Sequence, residues 1–315
     1  MLTFVIRRAL ILLATLIVAS AAIFVILEVL PGDPALLILG LEAQEDTLAA
    51  LRAQMGLDRP PLERYLSWIG GMVVGQTGTS HTYAVPVSEL IAARLEVTIP
   101  LALLAFFASS VIAVPLGMLA ATRRNRPGDY GVMTFSQIGM AIPNFWFGIM
   151  LILLFAVALG WFPAAGFPGW QSGLATGLWA LVLPATALAL PEAAILARVT
   201  RSAVLETLGA DYVRTARAKG LSERRVLWRH VLRNALIPMT TILGLQFAFL
   251  LAGSIVVENV FALPGLGRLI FQAVSQRDII VVRDVVMLLV ALVVVVNFMV
   301  DIVYGLIDPR PRASL

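Results

Sequence analysis

The sequence contains no cysteine, only two histidines and a single lysine, Lys219. Without cysteine, the chain can form no disulfide, no thiolate metal site and no thiol nucleophile. His81 and His230 are too few and too far apart in the chain to predict a metal centre. Charged residues make up only 13% of the chain, whereas soluble domains carry roughly 25%. These shortages argue against cysteine- and metal-dependent chemistry and against a soluble protein.

Several motifs of nucleotide-dependent and hydrolytic enzymes are also missing. No GxxxxGK[ST] element occurs, because Lys219 and Gly220 stand in the reverse order. Gly265 and Gly267 lack the remaining glycine of a dinucleotide-binding fingerprint. There is no GxSxG element either. The sequence therefore predicts a chain that is not an enzyme and binds no cofactor itself.

Long apolar runs are what the chain has instead, with 60% hydrophobic residues and a mean hydropathy of +0.92. A membrane-spanning helix needs about 20 predominantly apolar residues. Six runs qualify: Ala9–Val29, Thr98–Ala121, Val132–Leu159, Trp179–Ala197, Ile237–Val257 and Val285–Ile307. The first follows Arg7 and Arg8 and exceeds the about 7–15 residues of a signal-peptide core, so we expect an uncleaved anchor. The predicted fold is an all-α integral membrane protein with six transmembrane helices.

The distribution of basic residues predicts the orientation. The segments that would lie on the side of both termini hold the majority of the 23 Lys and Arg residues. Because basic residues are retained on the cytoplasmic side, we expect both termini in the cytoplasm. The same retention explains the pI of 9.9 without nucleic acid as a partner.

The chain divides into four parts on this topology: an anchor helix (1–30), an outside segment (31–96), a membrane core that includes the remaining spans (97–308) and a cytoplasmic tail (309–315). The outside segment begins with a predicted turn at Pro31–Ala35. Leu48, Leu51 and Met55 have the spacing of a short amphipathic helix before Gly56, and a second short helix is predicted through Trp68.

One strongly basic stretch, residues 208–236, separates two of the apolar runs; we call it the basic loop. Its basic residues are Arg214, Arg217, Lys219, Arg224, Arg225, Arg229 and Arg233. We predict a helix from Leu208 to Ala218, a turn with Gly220 at C′, and a second helix with Ser222 as N-cap. Pro238 would start the next span. The basic loop is thus a rigid helix–turn–helix.

Two interpretations of the basic loop remain open on this pattern. A basic amphipathic helix could lie on anionic lipid, which would account for the arginines of the second helix. Lipid binding accounts poorly for the small residues around the turn, Thr215, Ala216 and Gly220, which would let another protein approach closely.

The basic loop resembles the EAA loop of ABC importer permeases. Aligned on Gly220, the signature positions are Arg214, Thr215 and Ala216, and only Ala216 matches the general pattern. The departure is typical of the dipeptide, oligopeptide and nickel branch. A literal Glu-Ala-Ala at Glu192–Ala194 lies inside a span and lacks the following glycine. Further stretches similar to that branch are LPGDPA (30–35), GLDRPP (56–61), GDYGVM (128–133), IPNFWFG (142–148), FALPGLGRL (261–269) and NFMVDIVYGLIDPR (297–310).

This resemblance implies the type I importer fold in the inner or plasma membrane of a prokaryote. It implies a second, homologous permease subunit, two cytoplasmic ATPases that use ATP and Mg, and an external substrate-binding protein. The family handles peptides, and also glutathione, nickel complexes and some sugars. The implied ATPase-coupling residues are Arg214, Thr215, Ala216, Arg217, Ala218, Lys219, Gly220, Leu221 and Ser222.

Ionisable residues inside apolar spans are candidates for function, because a charge in hydrocarbon is costly. Glu192, beside Pro191, is the candidate for the translocation path. Glu28 and Glu258 lie near outside ends of spans, where we expect interfacial solvation. Asn297 and Asp301 share a helix face and are predicted to bond across helices.

Two other classes are possible for an integral membrane protein. An ion-gradient-driven transporter would carry paired inverted repeats and broken helices in both halves, and no such symmetry is evident. An intramembrane enzyme would need clustered nucleophiles, bases or metal ligands, which are missing.

Overall fold

The computed structural model describes residues 2–29, 34–39, 44–54 and 56–307. Within these residues the protein is helical, without a β-strand, and one isolated bridge joins Thr79 and Pro86. The α-helices are α1 (Leu2–Val29), α2 (Pro34–Leu39), α3 (Glu45–Gln54), α4 (Pro61–Val73), α5 (Val87–Thr122), α6 (Pro127–Ala141), α7 (Asn144–Leu151), α8 (Leu174–Leu208), α9 (Asp211–Ala218), α10 (Glu223–Arg225), α11 (Arg233–Val260), α12 (Leu266–Ser275) and α13 (Ile279–Ile307). Two π-helical stretches, Ile152–Ala158 and Val226–Leu232, continue α7 and α10, and Trp170–Ser172 forms a 3₁₀ turn.

Five helices in the described part of the chain are long and apolar enough to cross a membrane: α1, α5, α8, α11 and α13. The predicted span at 132–159 is not one helix, because the chain bends by 102° between α6 and the α7 segment. Ile142 there is extended, with φ −88° and ψ 121°. Pro143 causes the break: it offers no amide hydrogen and disfavours helical geometry in the residue before it. Counted as one bent span, this pair raises the number to six.

Several helices are longer than the spans predicted from the sequence. The helix predicted at 179–197 is α8, which has 35 residues, and α5 starts at Val87 instead of residue 98. At 1.5 Å per residue α8 is about 50 Å long, against a hydrocarbon thickness of about 30 Å. Pro184 and Pro191 lie inside α8 without ending it. Hydropathy marks only the part of a helix that lies in lipid, so it cannot show where helices continue beyond it.

Helix α8 lies at the centre of the molecule, packed between α5, α6 and α11. Glycines allow the closest approaches. A Cβ at Gly117 of α5 would lie 2.7 Å from the Ala197 carbonyl oxygen, and a Cβ at Gly139 of α6 would lie 2.5 Å from the Ala194 Cβ. Small residues of this kind let helix backbones pack closely in membranes. The core is therefore built around the helix that leads into the basic loop.

The 31–96 segment contains α2, α3 and α4. A helix before Gly56 is confirmed as α3, although Met55 of the predicted apolar face lies outside the described residues. The second predicted helix is α4, which continues five residues beyond Trp68. Residues 31–33 of the predicted turn at Pro31–Ala35 lie outside the described residues, as does the predicted tail at 309–315.

Candidate functional site

The first half of the basic loop is a short helix followed by a sharp turn. The prediction that this helix starts at Leu208 is wrong: Leu208 ends α8, and α9 starts at Asp211. Asp211 lies in its first turn and Arg217 in its last, where their charges oppose the helix dipole. Gly220 follows with φ +78°, as predicted for C′. A residue with a Cβ would be strained in this left-handed conformation.

The second half of the basic loop does not form a separate helix. Ser222 occupies the predicted N-cap position, although its side chain makes no capping hydrogen bond. Helix α10 passes into the π-helix Val226–Leu232 and then directly into α11. Pro238, expected to mark the start of the next span, lies within α11. The turn is therefore connected to a membrane helix without a flexible joint.

Apolar packing fixes the basic loop against the body of the protein. Val213 and Ala216 of α9, with Val226 and Val231 of the π-helix, are buried in a cluster that includes residues of α5, α6, α8 and α11. Leu221, half-buried, packs against the same cluster. The expectation that Ala216 is open to a partner is wrong, since it is 6% exposed and lies one helical turn from Val213.

An ion pair closes the turn from outside. Arg217 donates from Nε to Glu223 Oε1 at 2.9 Å and from Nη2 to Oε2 at 3.1 Å, which links α9 to α10. Both side chains are largely exposed, so the pair contributes little to stability, about 0–1 kcal/mol. Its two-point geometry nevertheless restricts the shape of the turn.

The exposed surface of the turn combines small and basic side chains. Its exposed members are Arg214, Thr215, Arg217, Ala218, Lys219, Gly220 and Ser222. Beside them lies a shallow depression of about 430 Å³ lined by Ser222, Arg224, Arg225, Trp228 and Arg229. Trp228 and Tyr212 add large exposed aromatic surfaces that the sequence reasoning did not single out. Partial burial raises the pKa of Tyr212 above its usual value, so its hydroxyl stays protonated.

Glu192 is half-buried on α8. No hydrogen bond or ion pair to its carboxylate occurs within the described part of the chain. Glu192, Ile195, Val199 and Ser202 follow one another at helical spacing and are all incompletely buried, whereas the residues between them are mostly buried. This stripe runs towards the basic loop along the central helix.

The prediction of interfacial solvation is wrong for Glu258, which is fully buried. Its carboxylate accepts hydrogen bonds from Thr98 Oγ1 at 2.7 Å, from the Gly267 amide at 2.7 Å and from the Arg268 amide at 3.3 Å. The Leu266 amide donates to Thr98 Oγ1 at 2.8 Å. Amides at the start of α12 thus satisfy a buried carboxyl group, as helix N-termini do for acidic groups.

The other polar residues singled out from the sequence, Glu28, Asn297 and Asp301, lie against neighbouring helices. Glu28, half-exposed as an interfacial residue would be, also pairs with Arg64 of α4. Asp301 pairs with Arg8 of α1 at 3.0 Å, which confirms the predicted bond across helices. Asn297 lies close to α11, since a Cβ at Gly244 would be 3.2 Å from its Oδ1.

Comparison with known proteins gives consistent matches over nearly the whole chain. The model of a family described as binding-protein-dependent transport system inner membrane component matches residues 113–313, and its N-terminal counterpart matches residues 1–102. The oligopeptide transport system permease protein AppB of Bacillus subtilis is 42% identical, over 98% of this chain and 99% of its own. The glutathione transport system permease protein GsiC of Salmonella choleraesuis is 41% identical, over 99% of both chains.

A solved structure also shares the fold. The MetNI methionine ABC transporter, in an inward-facing conformation, contains a chain that matches with a TM-score of 0.59. The match covers 70% of this chain and 96% of that one at 21% identity. At this identity the likeness shows the fold alone.

Proposed function

Since the chain belongs to the family of binding-protein-dependent transport system inner membrane components, and is a non-catalytic permease subunit of an ABC transporter, we propose that it imports peptides or peptide-like solutes. Two relatives that are more than 40% identical over nearly their whole length support this proposal. One is named for oligopeptide transport and the other for the transport of glutathione, itself a tripeptide. Membership of this family supports an ATP-driven importer over the alternative of an ion-gradient-driven transporter.

The complete transporter would contain this permease, a second homologous permease, two cytoplasmic ATPases that use ATP and Mg, and an external substrate-binding protein. This chain would bind membrane lipid but neither cofactor nor nucleic acid. It would cross the membrane six times, with α6 and α7 as one bent span and both termini in the cytoplasm. Substrate would pass between the two permeases.

The basic loop would receive the motion of the ATPase through the exposed residues of its turn, Arg214, Thr215, Arg217, Ala218, Lys219, Gly220 and Ser222. Ala216 and Leu221 would hold the turn on the protein core. The observation that carries this role is the continuous helical connection from Glu223 into α11. A push on the turn would move α11 on one side and, through α9 and the shared apolar cluster, α8 on the other. Such rigid-body motion is how transporters alternate between two access states.

Cysteine cross-linking tests the coupling role, and the absence of native cysteine makes single-site labelling clean. Ala218→Cys and Ser222→Cys should cross-link to single cysteines on the partner ATPase in the assembled transporter. Ser172→Cys, exposed beyond the other end of α8, is the matched control and should not cross-link. The coupling role would be refuted by no cross-link at either turn position together with normal uptake after Gly220→Trp.

Glu192 would lie along the translocation path. Its carboxylate has no partner among the described residues and sits on the incompletely buried stripe of the central helix. An ionisable side chain without a partner at this depth suits a hydrated path between two permeases better than lipid. Glu192→Gln should therefore reduce uptake while leaving stability unchanged.

A further inference from the structure

Helix α4 carries two different apolar faces, and only one of them is occupied by the protein. On the inner face, the rings of Tyr65 and Trp68 pack against Phe24 of α1 with centroid distances of 5.5 Å and 6.3 Å. The Tyr65 hydroxyl shares a hydrogen bond of 2.8 Å with Ser20. Trp68 Nε1 donates to the buried Asp284 of α13 at 2.7 Å. Helix α4 is therefore attached firmly to two membrane helices.

The outer face of α4 is an apolar stripe with little cover. Leu62, Leu66, Ile69 and Val73 recur at 4-3-4 spacing, which places them on one side of the helix. Leu62 is 69% exposed, Leu66 59% and Val73 81%. The polar residues Glu63 and Ser67 lie on a different side and are also exposed. A stripe of large apolar side chains beside a polar side is the pattern of a helix lying at a membrane surface.

The surroundings of α4 indicate what covers the stripe. Helix α1 is an apolar spanning helix with an almost wholly uncovered surface, and Val25 and Ile26 are more than half exposed next to the point where α4 attaches at Phe24. The exposed stripe therefore belongs to a helix that is attached directly to a helix with a lipid-facing surface.

The depth of α4 agrees with this placement. With 28 residues, α1 is about 42 Å long, so its last third lies at the edge of a hydrocarbon layer about 30 Å thick. Helix α4 contacts α1 at Ser20, Phe24 and Glu28, all in that last third. Tyr and Trp are the residues enriched at this level of membrane proteins.

We propose that α4 is an interfacial helix whose Leu62–Val73 stripe is immersed among the acyl chains of the leaflet that surrounds the end of α1. Its polar residues Glu63 and Ser67 face water. Through Trp68 and Asp284, the helix ties the surface of that leaflet to the start of α13. This role does not depend on the cargo or on which ATPase drives transport.

Site-directed spin labelling of the assembled transporter tests the proposal. Single cysteines are placed at Leu66→Cys and at Ser67→Cys, and the labelled complex is reconstituted in vesicles of phosphatidylethanolamine and phosphatidylglycerol. Collision of the label with oxygen, which concentrates in lipid, is compared with collision with a water-soluble nickel chelate. We expect the oxygen-to-nickel ratio to be severalfold higher at position 66 than at the adjacent position 67.

Two results would overturn the proposal. Equal nickel accessibility at 66 and 67 would place the stripe in water. A label at 66 that neither reagent reaches would place another protein, such as the second permease or a docked binding protein, over it. Val73→Cys, which is the most exposed of the stripe, gives an independent reading if the Leu66→Cys complex does not assemble.

Discussion

Arg201 of α8 donates two hydrogen bonds to Asp129 of α6, from Nε to Oδ1 at 2.5 Å and from Nη2 to Oδ2 at 2.7 Å. The backbone amide of Asn125 donates to the same carboxylate at 2.9 Å. Asp129 is buried, and Arg201 lies in the last two turns of the helix that leads into α9. A movement of the basic loop that displaces the end of α8 must therefore also displace the start of α6.

Asp129→Ala should lower the free energy of unfolding by about 3 kcal/mol, because it leaves the Arg201 guanidinium without its partner in a largely buried place. Chemical or thermal unfolding of the purified transporter measures the change. Arg198→Ala, one turn away on the exposed side of α8, should stay within about 0.5 kcal/mol of wild type. Reversing the pair, with Asp129→Arg and Arg201→Asp together, should recover part of the loss. A loss below about 1 kcal/mol for Asp129→Ala would contradict the assigned role of the pair.

Gly267→Ala should destabilise the protein by about 1–3 kcal/mol, because the added Cβ would overlap the Ile255 backbone and lie 3.0 Å from Glu258 Oε2. Gly131→Ala is the matched control, since it lies within α6 with no atom within 4 Å of the added Cβ. That substitution should be neutral or should stabilise by about 0.5–1 kcal/mol, as alanine favours helix over glycine. Equal effects of the two substitutions on the unfolding transition would show that α12 does not pack closely against the α11 backbone at Gly267.

Glu192→Gln should reduce uptake without reducing stability. The carboxyl group has no partner among the described residues, so no bond is lost, and replacing an ionisable side chain in a membrane helix by a neutral one is favourable. ATP-dependent uptake of a labelled peptide into proteoliposomes, measured beside thermal unfolding, separates the two effects. Glu89→Gln, an exposed acid in the first turn of α5, serves as control. Wild-type uptake and stability in Glu192→Gln would exclude the residue from the path.

Substitutions at the turn should show separately how much the backbone conformation of Gly220 and the Arg217–Glu223 ion pair contribute to the free energy of unfolding. Glu223→Gln removes an exposed pair and should change the free energy of unfolding by less than about 1 kcal/mol. Gly220→Val should cost more than about 1–2 kcal/mol, because φ +78° is strained for a residue with a Cβ and most of all for a branched one. Gly220→Asn should cost less than valine, since asparagine tolerates this conformation. The same loss for valine and asparagine would show that φ is not what glycine provides here.

The amino-acid sequence by itself determined the features that depend on neighbouring residues. Runs of about 20 apolar residues predicted membrane helices because the transfer of apolar side chains to lipid depends on composition. Gly220 predicted the turn because glycine adopts the left-handed conformation most readily. Asp211 and Arg217 supported the prediction of a helix before this turn, because their charges suit the two ends of the helix dipole. The motifs around the basic loop predicted the family, which the comparisons confirm.

Tertiary structure decided the features that depend on residues far apart in the chain. Pro143 breaks the span locally, but the angle of 102° between α6 and the α7 segment depends on how both halves pack against α8. Glu258 can be buried only because Thr98, 160 residues away, and the amides of α12 supply its hydrogen bonds. Ala216 faces inward because the α8 and α11 sides of the basic loop share one apolar cluster. The burial of a side chain and the identity of its bonding partners follow from contacts between helices. Local composition and residue spacing do not contain this information.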